Sequence, residues 1–427
     1  MEKKRFTARQ SADVLGFVPH TLGFLPAESV VLLSLAGGRL GATLRLDLPR
    51  TGDNRQLELF ADTAADYLRS DEEADSSLLI LYTHHAWRAA DRPPHPELVA
   101  ALGRSLVAAG LPVRGGWAVG TEHWRELYCA DTSCCPLPGR PVSQIRDSAL
   151  NAELVYNGST YAASAAEAAA EPIPAAPRGE RPAAGTALEA WGSEAPPGAG
   201  TPPASATPRA IQREADQLAA GLAGSWTHPV FYFATLRRWE HALTANQAGT
   251  MTAQAQAFLL ASLTDNAVRD AIAIFACNGL EPAFLWAGAA GLLDRPDPGA
   301  DVDVDADVEP LPEADDPAAA RNLSRILVGD SPVAPDWQRV DATAQLLGQL
   351  HTVGTGSSRA AAGALHAWIE WARGRGSHAH QRAEGCLREH PGYRLAELVR
   401  ELAASGMLPR WARRRETAWP GPRHLAA

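Results

Sequence analysis

The chain is almost without lysine: of its 39 basic residues only Lys3 and Lys4 are lysines, and the rest are arginine. With alanine, glycine and proline so frequent, the bias reads as that of a GC-rich coding sequence. A basic surplus is missing too. The formal charge is −10, but Asp294 to Asp316 holds ten acids against one base, Arg295, which leaves the rest of the chain nearly neutral. No nucleic-acid partner is expected, because a nucleic-acid binder carries a basic patch on its folded part. The short cluster Arg410, Arg413, Arg414 and Arg415, beside Trp411 and Trp419, reads as a solvated helix end. Long apolar runs are absent, and the N-terminal MEKKRFTARQSADVLGF has positive charge with no apolar segment behind it, so neither a membrane span nor a secretory signal is expected. Five cysteines in 427 residues, an odd number, argue against a disulfide framework; a cytoplasmic chain with reduced thiols or a metal fits better. The G-x-x-x-x-G-K-[ST] phosphate loop, the G-x-G-x-x-G turn and the G-x-S-x-G elbow are all missing, which removes most nucleotide-driven and hydrolase chemistry.

What is present is length enough for two or three folded units, with 46% apolar residues. Ser11 can cap a short helix that Pro19 would end. Ser29 to Leu35 and Leu40 to Leu48, separated by Gly37-Gly38, read as a hairpin, the second strand alternating Leu44, Leu46 and Leu48 with polar residues. Helical spacing over Asn54 to Arg69, an unbroken apolar run Ser77 to Tyr82, a helix over Pro96 to Ala109, and strands over Val113 to Thr121 and Trp124 to Cys129 complete a β-β-α-β-α-β-β order. The spacing therefore predicts an α/β sandwich, a mixed sheet with flanking helices, over residues 1–163. Residues 164–208 are an Ala/Pro-rich linker expected to be disordered. Beyond Pro208 the apolar period becomes 3.6, giving a helical region 209–293, an acidic disordered insert 294–320, tetratricopeptide-like helical hairpins over 321–415, and a tail 416–427. Ala379 and Pro391 fall where such a repeat has its small residue and its terminal proline.

Three groups are candidates for chemistry. Trp124, Tyr128, Cys129, Asp131, Cys134 and Cys135 crowd into one segment. The spacing C-x4-C-C matches neither a zinc knuckle nor a plant-type iron–sulfur loop, and adjacent cysteines on a strand point to opposite sides. Buried structural thiols packed by Trp124 and Tyr128, a metal completed by His123 or Asp131, and a redox or nucleophilic thiol all remain open. Thr83 and His84 follow the buried strand; if that strand has a parallel neighbour, they stand at the carboxyl edge where open α/β sheets place ligands. Arg269 lies opposite the buried stripe of its helix and is available to a partner, whereas Asp270 flanks the stripe and can pair inside the domain. The alternating Asp301, Asp303, Asp305 and Asp307 fail as a calcium loop, since Ala306 stands where the glycine belongs and Pro312 where the bidentate glutamate belongs. His378-x-His380 diverges on a helix. No metal and no cofactor are assigned.

ADVLGFVPHTLGFLPAESVVLLSL near the start, LILYT, the segment Trp124…Tyr128-Cys129…Cys134-Cys135-Pro136…Gly139, AELVYNG at Ala152 to Gly158, Val268-Arg269-Asp270-Ala271 and the ending Pro391-x-Tyr393-x-Leu395-Ala396…Pro409-x-Trp411 together resemble the actinobacterial domain-of-unknown-function family 4192. The resemblance implies a cytoplasmic α/β domain joined to helices and brings no activity with it. The leading expectation is a non-enzymatic interaction or regulatory protein with an unidentified protein partner and a small-ligand site in the α/β half. Its rival is a thiol- or metal-dependent enzyme or redox sensor built on Cys129, Cys134 and Cys135.

Overall fold

A computed structural model describes residues 7–50, 52–85, 87, 89–170, 207–294, 311–312, 316–414 and 416–421. The chain divides into two compact units, one of residues 1–171, 373–381 and 403–427, the other of 172–372 and 382–402. Most of the expected linker and of the acidic insert, including Asp301 to Asp307, lies outside the described residues. Among those described, no helix is long and apolar enough to cross a membrane.

The first unit is a mixed sheet between helices. Its order is α1 (Ser11–Leu22), β1 (Ser29–Ala36), β2 (Arg39–Asp47), α2 (Asn54–Leu68), β3 (Ser76–Tyr82), α3 (Pro96–Ala108), β4 (Val113–Val119), β5 (His123–Glu126), β6 (Arg140–Pro141), α4 (Ser143–Arg146), α5 (Ala149–Tyr156) and α6 (Ala165–Ala170). The strands lie in the order β2-β1-β3-β4-β5-β6. Among paired strands only β3 and β4 are parallel; α3 crosses between these two neighbours, whereas α2 links β2 to β3, which β1 separates.

Side chains alternate across a strand, and here the alternation builds two cores. Val30 and Leu32 of β1, with Leu79 and Leu81 of β3, face α2 and α3. Val31 and Leu33, with Leu78, Ile80 and Tyr82, face Ala12, Leu15 and Val18 of α1 and Ile145 of α4. All seven residues of β3 are buried, as the unbroken apolar run predicts for a central strand. Each fully buried leucine contributes roughly 1.5–3 kcal/mol, so this strand holds both layers together.

Three local expectations need correction. Pro19 does not end α1: the helix continues to Leu22, and Gly23, at φ 78°, closes it by donating to the Pro19 carbonyl. The strand expected over Trp124 to Cys129 stops at Glu126, and Leu127 to Cys135 is irregular. The linker begins late, since Ala165 to Ala170 are still helical, and Thr207 caps the helix Pro208–Gly221 with its side chain.

The first unit also includes two returns of the chain from far along the sequence. Buried His378 meets the Leu22 carbonyl through Nε2 at 2.6 Å, and Phe24 packs against its ring. Tyr67 donates its hydroxyl to the Ser405 carbonyl, Arg414 pairs with Glu72 at 3.1 Å, and Trp411 is buried. The arginine-rich ending is thus partly packed and not wholly solvated.

The second unit is helical. Trp337–Val353 and Gly356–Ala372 form a hairpin across a two-residue turn, and Ala360 and Ala364 of the latter meet Cys386 and Ala396 in a small-residue cluster. Ala383 is fully buried, which suits tetratricopeptide-like packing. Arg339 makes a two-pronged pair with Glu240 at 2.7 and 2.8 Å and lies over the Phe275 ring.

The approach of β6 to β5 sets one firm requirement. Gly139 has φ 141°, and a Cβ there would meet the Trp124 carbonyl oxygen at 2.7 Å. Gly139→Ala is expected to destabilise the chain by about 1–3 kcal/mol. Gly110→Ala, at φ 80° with open space around it, should cost only the backbone term of roughly 1 kcal/mol. Urea unfolding of both variants measures the difference.

Candidate functional site

Because β3 and β4 are parallel, both end at the same edge of the sheet. Tyr82 pairs with Val119, and the Thr83 N–H continues the ladder to the Val119 carbonyl at 3.0 Å. The antiparallel β1 begins at that edge, with Ser29 opposite Tyr82, and α3, which runs back along the crossover, starts there too at His95. A cleft of about 170 Å³ opens at this place; Thr83, His84, His85, His123, Trp124 and Arg125 are among its walls.

Thr83 is the pivot. Its hydroxyl is buried and lies 3.2 Å from His85 Nδ1 and 3.3 Å from His95 Nε2, and it accepts the His85 N–H. The two imidazoles meet edge to face, with centroids 4.6 Å apart. Burial, helped by neighbouring His85, pushes the His95 pKa down, against the pull of Glu28 and Glu97. His84 turns outward, its side chain 65% exposed, while its N–H donates to Glu28. Glu28 and His95 are the two non-glycine residues with left-handed backbone among those described, at φ 41° and 50°. Such strain persists only where the surroundings over-determine it, and it gathers at functional edges.

Arg125 is the residue that sequence reasoning missed. It is 2% exposed, and no carboxylate pairs with it among the described residues. Instead Nε donates to the Cys135 carbonyl, Nη1 to the Ala90 carbonyl and Nη2 to the Cys129 carbonyl, each at 3.0 Å. Its guanidinium lies over the Trp87 ring, 4.7 Å from the centroid. One side chain therefore ties the cysteine segment to the loop that precedes α3. The only sequence signal was an arginine beside Trp124 on an expected strand.

Buried structural thiols are one of three alternatives for the cysteine segment, and its thiols differ in exposure. Cys135 is buried, Cys129 half-buried and Cys134 exposed. Trp124 is buried, but Tyr128 is 59% exposed and does not pack the segment down. The segment is a turn and not a strand, so its adjacent cysteines need not diverge. The Cys134 and Cys135 sulfurs are 4.0 Å apart, and all three sulfurs lie within 4.8 Å of one another. Asp131 builds the turn: its Oδ1 accepts from the Ser133 N–H and hydroxyl at 2.8 and 2.7 Å, which lowers its pKa, and its carbonyl accepts the Cys135 N–H. Burial, followed by the neighbouring thiols, pushes Cys135 up to about 12.

Arg269 is not presented outward as its position opposite the apolar stripe predicts. Its side chain is 14% exposed, bonded to Asp270 at 2.6 Å and to Asn266 at 2.7 Å, with the Tyr393 hydroxyl at 3.4 Å. The helix Asn266–Asn278 is buried on several faces, so a wheel drawn from one stripe misplaces what lies opposite it. Asp270 pairs with its neighbour Arg269.

Two measurements follow. Arg125→Ala leaves three carbonyls without their donor and should destabilise by about 2 kcal/mol or more; Arg125→Lys should rescue little, since one ammonium cannot reach three carbonyls fixed by a planar fork. Burial lowers the pKa of His20, His95 and His351. Below their ordinary value of 6.5 the unfolded chain therefore takes up protons that the folded chain refuses, and stability falls as pH drops. Urea midpoints should decline from pH about 7.5 to about 5.5, and His20→Gln should flatten part of that decline.

No curated protein and no solved structure matches this chain. The family described as a domain of unknown function, DUF4192, matches residues 12–410, a span that takes in the sheet edge, the cysteine turn and the helical unit alike. The chain belongs to the DUF4192 family.

Proposed function

We propose that this is a non-enzymatic regulatory protein of the cytosol that binds a small, acceptor-rich ligand, a carboxylate above all, in the cleft at the carboxyl ends of β3 and β4. The helical hairpins would supply the surface for a protein partner. The arginine-for-lysine bias favours an actinobacterial origin.

The observation that carries the reading is the surplus of donors around the cleft. The indole N–H groups of Trp87 and Trp124 are buried without a partner among the described residues. Both indoles belong to the cleft, with Thr83 and two imidazoles beside them. Buried donors are nearly always satisfied in a working state, and an acceptor-bearing ligand satisfies them here. The amino end of α3 at the same edge adds partial positive charge. Neutral, burial-depressed His95 gains a proton more readily beside an anion, so binding takes up a proton.

The test titrates the full chain with a set of small carboxylates, from acetate to benzoate, and reads tryptophan fluorescence. At least one should bind saturably, more tightly as pH falls from about 8 to about 6. Thr83→Val and His95→Ala should each weaken it roughly tenfold or more, the worth of one hydrogen bond to a charged group. Absence of saturable binding by every carboxylate, or binding that both variants leave unchanged, would sink the proposal.

A further inference from the structure

Cys129, Cys134 and Cys135 are the one group of metal-ligating side chains gathered among the described residues. A cation bonded tetrahedrally to sulfurs at about 2.3 Å holds them roughly 3.8 Å apart, and a trigonal one only slightly farther. The Cys134 and Cys135 sulfurs are already 4.0 Å apart, and the trio spans no more than 4.8 Å. Closing that gap asks for small side-chain rotations in a turn, not for movement of a strand.

A second observation points the same way. Each of the three cysteines has its carbonyl held by a guanidinium: Cys129 and Cys135 by Arg125 at 3.0 Å, and Cys134 by Arg140 at 3.1 Å. Three thiolates around a cation leave a net negative charge, and two arginines stand behind it. Outer partners that fix and compensate the ligands are what a metal site requires. The two other cysteines, Cys277 and Cys386, are buried singly and show nothing comparable.

We propose that Cys129, Cys134 and Cys135 form a three-thiolate site for a thiophilic d10 cation, zinc(II) or copper(I). On binding, three S–H bonds break, three sulfur–metal bonds form and three protons leave to solvent; no oxidation state changes. The Asp131 carboxylate is committed to Ser133, and among the described residues no fourth ligand atom is gathered with the three sulfurs. Zinc would keep a water in that position, and copper(I) needs none. Soft sulfur donors exclude magnesium and calcium. The site goes beyond the cleft reading: none of the three cysteines lines the cleft, and either proposal can fail alone.

The experiment uses the full chain, reduced and stripped of metal, dialysed separately against zinc(II) and against copper(I) buffered by a competing chelator. One equivalent of at least one cation should be retained. X-ray absorption should show three sulfur neighbours, joined by one oxygen for zinc and by none for copper(I). Cys134→Ser should weaken binding at least about tenfold. It should leave the metal-free unfolding midpoint unchanged, because that side chain is exposed. Cys386→Ser, which is remote, should bind as the parent does. Retention of neither cation, or binding that Cys134→Ser and Cys129→Ser both leave intact, overturns the proposal.

Discussion

The edge of the sheet depends on a buried cation that no carboxylate pairs with among the described residues. Arg125 enters the interior from β5, and its desolvation is offset by three main-chain carbonyls and the face of Trp87 rather than by a carboxylate. Carbonyl dipoles can do this only if they converge, so the guanidinium dictates the path of the backbone around it. Cys129, Cys135 and Ala90 belong to two different loops, and both loops take their course from one side chain. A carboxylate partner would have stabilised the charge without that constraint. The cysteine turn, the wall of the cleft and the approach to α3 are held in one arrangement because only this arrangement satisfies the guanidinium.

Around that clamp the rest of the first unit provides rigidity. The parallel pair β3 and β4 sets two strand ends side by side, and the antiparallel β1 brings Glu28 to the same edge. Left-handed backbone at Glu28 and His95 costs stability, and the fully buried strand at the centre of the sheet gives the unit enough to tolerate it. The returns at Arg373–Gln381 and after Ala403 add further fastening, through His378 beneath Leu22 and Trp411 in the interior. The helical unit is organised by a different device. Small residues such as Ala360, Ala364 and Ala396 let helices approach closely, and Arg339 links Glu240 to the face of Phe275. The thiols of Cys277 and Cys386 belong to that packing, and burial raises both.

Much of this architecture was legible along the chain. Alternation in β1 and the unbroken run in β3 said which residues lie on one sheet face and that β3 is central, because a strand's side-chain period is two whatever its neighbours are. The 3.6-residue period beyond Pro208 and the small residues Ala379 and Ala383 announced helical hairpins for the same local reason. That Thr83 and His84 follow the buried strand was legible too, but their place at the carboxyl end of a parallel pair hung on β3 having a parallel neighbour, which the fold supplies in β4. The crowding of Cys129, Cys134 and Cys135 was visible as spacing.

What the chain order could not contain is what depends on partners far away in sequence. Whether adjacent cysteines diverge or converge turned on β5 ending at Glu126, and that depends on where Arg125 finds carbonyls. Arg269 reads as outward on a helical wheel, yet Tyr393, more than a hundred residues later, covers it. The pairing of Thr83 with His95 and the burial of Trp411 in the first unit are likewise long-range events. Local periodicity is a property of the backbone and survives in the sequence by itself. The convergence of side chains on a common point is a property of packing, and only the folded chain decides it.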